Sequence, residues 1–147
     1  MQETFPLYEQ QQIIIALTTQ IRILKNHYQT LTATNPQLSR LLEYLEQHYT
    51  EKIPLQDVCQ YMCMTSKTLN RFLHKETGRS FIALLQQIRI RHAVELLETT
   101  TDTVTGIGYS VGFESAKSFC KIFKREMGIT PKEFRIERLS KSAYRMS

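Results

Sequence analysis

The sequence predicts an all-α chain organised around a duplicated helical hairpin. Helix breakers are few, with five glycines and four prolines in 147 residues. Apolar residues recur at helical spacing almost throughout. Two segments fifty residues apart also repeat one another's pattern of side-chain types. The expected architecture is two helix-turn-helix subdomains joined by a long bridging helix and preceded by an extra N-terminal amphipathic helix. A composition of 41% apolar, 10% aromatic and 22% charged residues is that of a globular chain, not a disordered one.

Taken in order, residues 1–35 form the first unit. Leu7, Ile14, Ile21 and Tyr28 recur every seven residues, with Leu17, Leu24 and Leu31 interleaved. That is a coiled-coil-like stripe and a candidate dimerisation surface or linker segment. It ends at Asn35-Pro36, where Asn35 can cap and Pro36 can open the next helix. Leu38, Leu41, Leu42 and Leu45 give that helix one apolar side up to about Tyr49. Shorter helices are expected at about 54–62, 66–76, 81–98, 104–111, 116–126 and 131–137. Ser80 and Thr130 are good N-caps. Gly78 and Gly128, two residues upstream of them, suit the left-handed exit of a helix. Residues 138–147 are read as a basic C-terminal tail.

The repeat lies inside residues 36–137. A shift of fifty lays SKTLNRFLHKETGRS on AKSFCKIFKREMGIT, with Lys67/Lys117, Glu76/Glu126 and Gly78/Gly128 identical. Upstream, a shift of forty-nine matches Leu55/Val104, Val58/Ile107, Met62/Val111 and Met64/Phe113, so Glu114 is an insertion in the second turn. Each copy, at about 54–76 and 104–126, is therefore a short helix, a turn and a second helix.

Charge follows the repeat. Residues 67–91 hold six basic and one acidic side chain, and residues 117–147 hold nine and three. Between them, residues 92–116 hold four acidic and no basic side chains. Two basic blocks parted by an acidic one predict two anion-contacting surfaces. The second helix of each copy buries Leu69, Phe72 and Leu73, or Phe119, Ile122 and Phe123. Its other face carries Lys67, Asn70, Arg71 and His74, or Lys117, Cys120, Lys121 and Lys124. Such a helix fits a major groove. The bridge, read as one amphipathic helix of eighteen residues, is about 27 Å long. Successive major-groove segments on one face of DNA lie ~34 Å apart, so one chain can span two of them.

Other classes find no support. Cys59, Cys63 and Cys120 form no C-x-x-C pair and are read as small buried thiols. His27, His48, His74 and His92 are scattered, so no metal, cofactor or catalytic constellation is expected. There is no phosphate-cradling glycine loop and no nucleophile elbow. The longest apolar run, Ile13–Leu17, is far short of the ~18 residues of a membrane span. Met1–Gln12 does not resemble a signal peptide, so a cytoplasmic, nucleoid-associated location is expected.

These residues resemble the AraC/XylS-type transcriptional regulators. GFESAKSFCKIFKREMGITPKEFR (residues 112–135) is similar to that family's signature, RIRHAVELL (89–97) to its bridging helix, and SKTLNRFLHKETGRS to its first recognition helix. The resemblance covers about residues 36–137. It implies a bacterial seven-helix DNA-binding domain acting on transcription, most often as an activator, with double-stranded DNA and RNA polymerase as partners. It places Lys67, Asn70, Arg71, Ala116, Lys117, Cys120 and Lys121 at the bases. Thr65, Ser66, His74, Lys75, Ser115, Lys124 and Arg125 fall at phosphates. Asn70 and Arg71 suit bidentate pairing with adenine and guanine, so the first helix is expected to discriminate bases more than the second. Cys63 stands at the family's turn glycine, where left-handed backbone carries a steric cost. Gly106 and Gly108 predict a soft helix in the second copy. Two other readings remain open: an interaction adaptor working through residues 7–31, and the DNA-binding fragment of a longer ligand-sensing regulator.

Overall fold

Asn35 begins the chain's described course: its side chain accepts hydrogen bonds from the Gln37 and Leu38 amides at 3.0 and 3.2 Å, and Pro36 opens the helix. The computed structural model describes residues 35–146, and the stripe at Leu7–Leu31 lies outside them. Among the described residues there are seven helices and no strands. They are α1 (Pro36–His48), α2 (Leu55–Met62), α3 (Ser66–Thr77), α4 (Phe81–Thr99), α5 (Val104–Ser110), α6 (Ala116–Met127) and α7 (Pro131–Met146).

Local chemistry sets most boundaries. Thr65, Ser80, Thr103, Ser115 and Thr130 each accept a hydrogen bond from the backbone amide three residues on. Gly78 and Gly128 end α3 and α6 in left-handed conformation, with φ of 71° and 84°. The last helix passes its expected end at 137, and α7 continues to Met146. No glycine or proline follows Pro131, and Glu137, Arg138 and Leu139 favour helix, so nothing halts it.

Two cores form. The first packs the four leucines of α1 with Val58, Cys59 and Met62 of α2 and Leu69 and Leu73 of α3. The second packs Ile107, Val111 and Phe113 with Phe119, Ile122, Phe123 and Met127 of α6 and Phe134 of α7. The bridging helix α4 belongs to both. Its Phe81, Leu84, Leu85 and Ile88 enter the first core, whereas Ile90, Ala93, Val94 and Leu97 enter the second. At 100° per residue those two sets face directions about 180° apart. The expectation of one amphipathic helix is thus corrected: each half is amphipathic, on opposite sides.

Ion pairs brace this frame. Glu46 of α1 pairs with Arg91, and its Oε2 lies 2.6 Å from His92 Nε2. His92 stacks on Tyr49 with ring centroids 4.0 Å apart. Arg138 bonds Glu98 at 3.2 Å, tying α7 to α4. Arg135 donates to the Thr100 and Asp102 carbonyls just beyond the end of α4.

Candidate nucleic-acid interface

Each helix-turn-helix is closed by a left-handed residue. In the second copy it is Gly112, with φ of 103°, and in the first it is Cys63, with φ of 54°. The shift of forty-nine pairs these two positions, so both turns fold alike although one lacks the glycine. Cys63 is exposed, which corrects its reading as a buried thiol. It sits beyond the last turn of α2, so it does not share the buried helix face of Cys59.

The turns present α3 and α6 with one side sealed and one side open. On α3, Leu69 and Leu73 are fully buried, while Lys67, Asn70, Arg71, His74 and Lys75 are exposed. Phe72 is half-buried against the first core. On α6, Phe119 and Phe123 are fully buried, while Lys117, Lys121 and Lys124 are exposed. Thr65 and Ser66 are exposed at the start of α3; Ser115 is half-buried at the start of α6, its hydroxyl occupied by the Ser118 amide. Besides Ser115, three site residues differ from an open ridge. Ala116 is half-buried, and Cys120 is half-buried against the second core. Arg125 donates to Gln86 at 2.9 Å and to Glu126 at 3.2 Å, so part of its charge is used inside the protein.

The framework's carboxylates are engaged elsewhere. Glu46, Glu98 and Glu126 each pair with Arg side chains other than Arg71. Among the described residues, Lys67, Arg71, Lys117, Lys121 and Lys124 carry no ion pair. With Lys75, which likewise has no ion pair, six unneutralised cations on two capped helices make a surface suited to a polyanion. No group of His, Cys, Asp or Glu among the described residues could hold a metal. No described helix is long and apolar enough to cross a membrane.

Gly108, expected to soften α5, has a packing role. A Cβ there would lie 2.7 Å from Cδ2 of fully buried Phe119. It lets α5 close on the second recognition helix. The sequence reading also missed Arg89. Its Nε and Nη2 donate to the Tyr49 and Glu51 carbonyls at 2.8 and 2.9 Å, and its guanidinium lies 5.9 Å from the Phe113 ring centroid. Burial pushes its pKa below the usual guanidinium range. Its place in RIRHAVELL was the available signal.

A helix-turn-helix domain family model matches residues 58–137. The transcriptional activator RhaS of Escherichia fergusonii is 32% identical over 102 residues, covering 69% of this chain and 37% of RhaS. The chain thus spans a little over a third of the length of that curated relative. Among solved structures, the C-terminal domain of AraT, a response regulator from Geobacillus stearothermophilus, is similar at 31% identity. It covers 71% of this chain and 87% of that one, with a TM-score of 0.65. The DNA-binding domain of the global transcriptional factor AdpA, solved in complex with a target DNA, is 24% identical with a TM-score of 0.63. That likeness, over 74% of this chain and 92% of AdpA's domain, is one of fold. With half its length matched by the family model and its seven described helices in place, the chain belongs to the AraC-type helix-turn-helix family of DNA-binding transcription regulators, which is not a family of enzymes.

Proposed function

We propose that the chain binds double-stranded DNA sequence-specifically, with α3 and α6 in successive major-groove segments, and activates transcription. The observation that carries this reading is the twice-built ridge of exposed, unpaired cations on helices whose other side is fully buried. The 19 residues of α4 span about 28 Å, close to the ~34 Å between groove segments. The name of RhaS as an activator and the DNA in the AdpA structure support the same reading. Lys67, Asn70, Arg71, Ala116, Lys117, Cys120 and Lys121 face bases, with the first helix discriminating more. Thr65, Ser66, His74, Lys75, Ser115 and Lys124 face phosphates, whereas Arg125, placed with them by the sequence, is held back by its bonds to Gln86 and Glu126. RNA polymerase is the candidate partner in activation. Self-association through Leu7–Leu31 is a separate proposal, tested by sedimentation of the chain with and without residues 1–35.

Selection of bound duplexes from a random pool, followed by footprinting, tests the main reading. It should enrich one bipartite site protected over two adjacent groove segments. Asn70→Ala or Arg71→Ala should each cost about 1–3 kcal/mol and relax preference at one or two base pairs of one half. A pool without enrichment, or a footprint confined to one groove segment, would overturn it.

A further inference from the structure

The two subdomains meet at more than the bridging helix. Where the loop after α1 faces the turn of the second helix-turn-helix, the approach is close: a Cβ on Gly112 would stand 2.4 Å from the Tyr49 carbonyl oxygen. This contact is backbone on backbone, with Arg89 packed beside it. It fixes a point beside the shared helix α4, and a tie away from Gly112 adds resistance to rotation about that point.

A second contact lies at the ends of the recognition helices. Arg79, in the exit of α3, sends Nη1 and Nη2 to the two carboxylate oxygens of Glu126 on α6 at 3.0 and 3.3 Å. The Glu126 side chain is only 11% exposed. Its Oε1 also accepts from Arg125, which reaches Gln86 of α4. Among the described residues this is the one hydrogen-bonded side-chain pair that joins the first helix-turn-helix to the second without passing through α4. A two-pronged bond between planar groups restricts angle as well as distance. The repeat shows that the tie is not part of the hairpin itself. Glu76 matches Glu126, but Arg79 matches Ile129, so the first copy has no equivalent pair.

We infer that the Arg79–Glu126 pair sets the angle between α3 and α6, and thereby the spacing between half-sites that the protein accepts. Resting on the DNA-binding reading above, this adds a specificity determinant that touches no base. Each extra base pair between half-sites turns one of them by about 35° and moves it ~3.4 Å. A rigid pair of readers rejects that change; a pair pivoting at Gly112 tolerates it.

The test uses the full chain and the duplex selected by the wild-type protein, with its spacer changed by −1, 0, +1 and +2 base pairs. The wild type should lose about tenfold in affinity for each base pair of change. In Arg79→Ala and Glu126→Gln the loss should fall to about threefold or less, with affinity for an isolated half-site unchanged. The swap Arg79→Glu with Glu126→Arg should restore the wild-type profile. Circular dichroism checks each fold, and Arg79→Lys, which keeps the charge but loses one prong, replaces any variant that unfolds. Single variants with the wild-type spacing profile would overturn the inference. A wild-type protein that selects no site would instead overturn the DNA-binding reading beneath it, so the two failures are distinct.

Discussion

Of the four left-handed residues among the described ones, Gly78, Gly112 and Cys63 do different physical work, and their surroundings decide the cost of changing each. Around Gly78 nothing lies within 4 Å of where a Cβ would stand, so Gly78→Ala meets only the backbone strain of φ 71°, about 1–2 kcal/mol. Gly112 has φ 103° and the Tyr49 oxygen 2.4 Å from that point. Strain and overlap then add, and Gly112→Ala should cost about 3 kcal/mol or more. Cys63 already bears a side chain at φ 54°. Its replacement by glycine should stabilise by about 1 kcal/mol, because the relief of strain exceeds the entropy gained by the unfolded chain. Urea unfolding of the three variants checks the order. Equal losses for Gly78→Ala and Gly112→Ala would refute the close approach between subdomains.

At the scale of elements, the helix boundaries were legible wherever a cap or a left-handed glycine marks them. Asn35, Ser80 and Thr130 begin helices and Gly78 and Gly128 end them as their chemistry requires. The exposed cations of α3 and α6 were legible as well, since the buried residues of the same turns fix which way they face. The extension of α7 was not read, because its only signals are the missing glycine and proline after Pro131 and the mild helix preference of Arg138 and Leu139. The opposed faces of α4 were hidden because two amphipathic halves turned about 180° apart leave no single apolar face along its whole length. The Arg79–Glu126 pair spans 47 residues, and no local rule reaches that far. The shared helix has a mechanical consequence. Leu97 is buried in the second core only, and Leu97→Ala should cost about 2–5 kcal/mol. Because α4 completes both cores, amide exchange in α1 and α6 should quicken together, within one unfolding transition. Faster exchange in α6 alone would mean that the bridge does not couple the two halves.

Over the whole molecule, a formal charge of +5 understates the field that DNA would meet. The acidic side chains at Glu46, Glu98 and Glu126 are neutralised inside the frame, while Lys67, Arg71, Lys117, Lys121 and Lys124 are not. Affinity for a selected duplex should therefore fall steeply with salt, by a slope of about −0.9 for each phosphate neutralised. The two neighbouring phosphate candidates on α6 should not contribute alike. Lys124 is exposed and unpaired, so Lys124→Ala should reduce the magnitude of that slope by about 1 and weaken all sequences equally. Arg125 already donates to Gln86 and Glu126, and moving its guanidinium to a phosphate would break both bonds. Arg125→Ala should change the slope by well under 1, about half or less. Its larger effect should fall on Glu126, whose carboxylate would then rest on Arg79 alone. Binding titrations at four or more salt concentrations read the two slopes directly. Equal changes for both variants would place Arg125 on the nucleic acid and show that its bonds within the protein yield when DNA arrives.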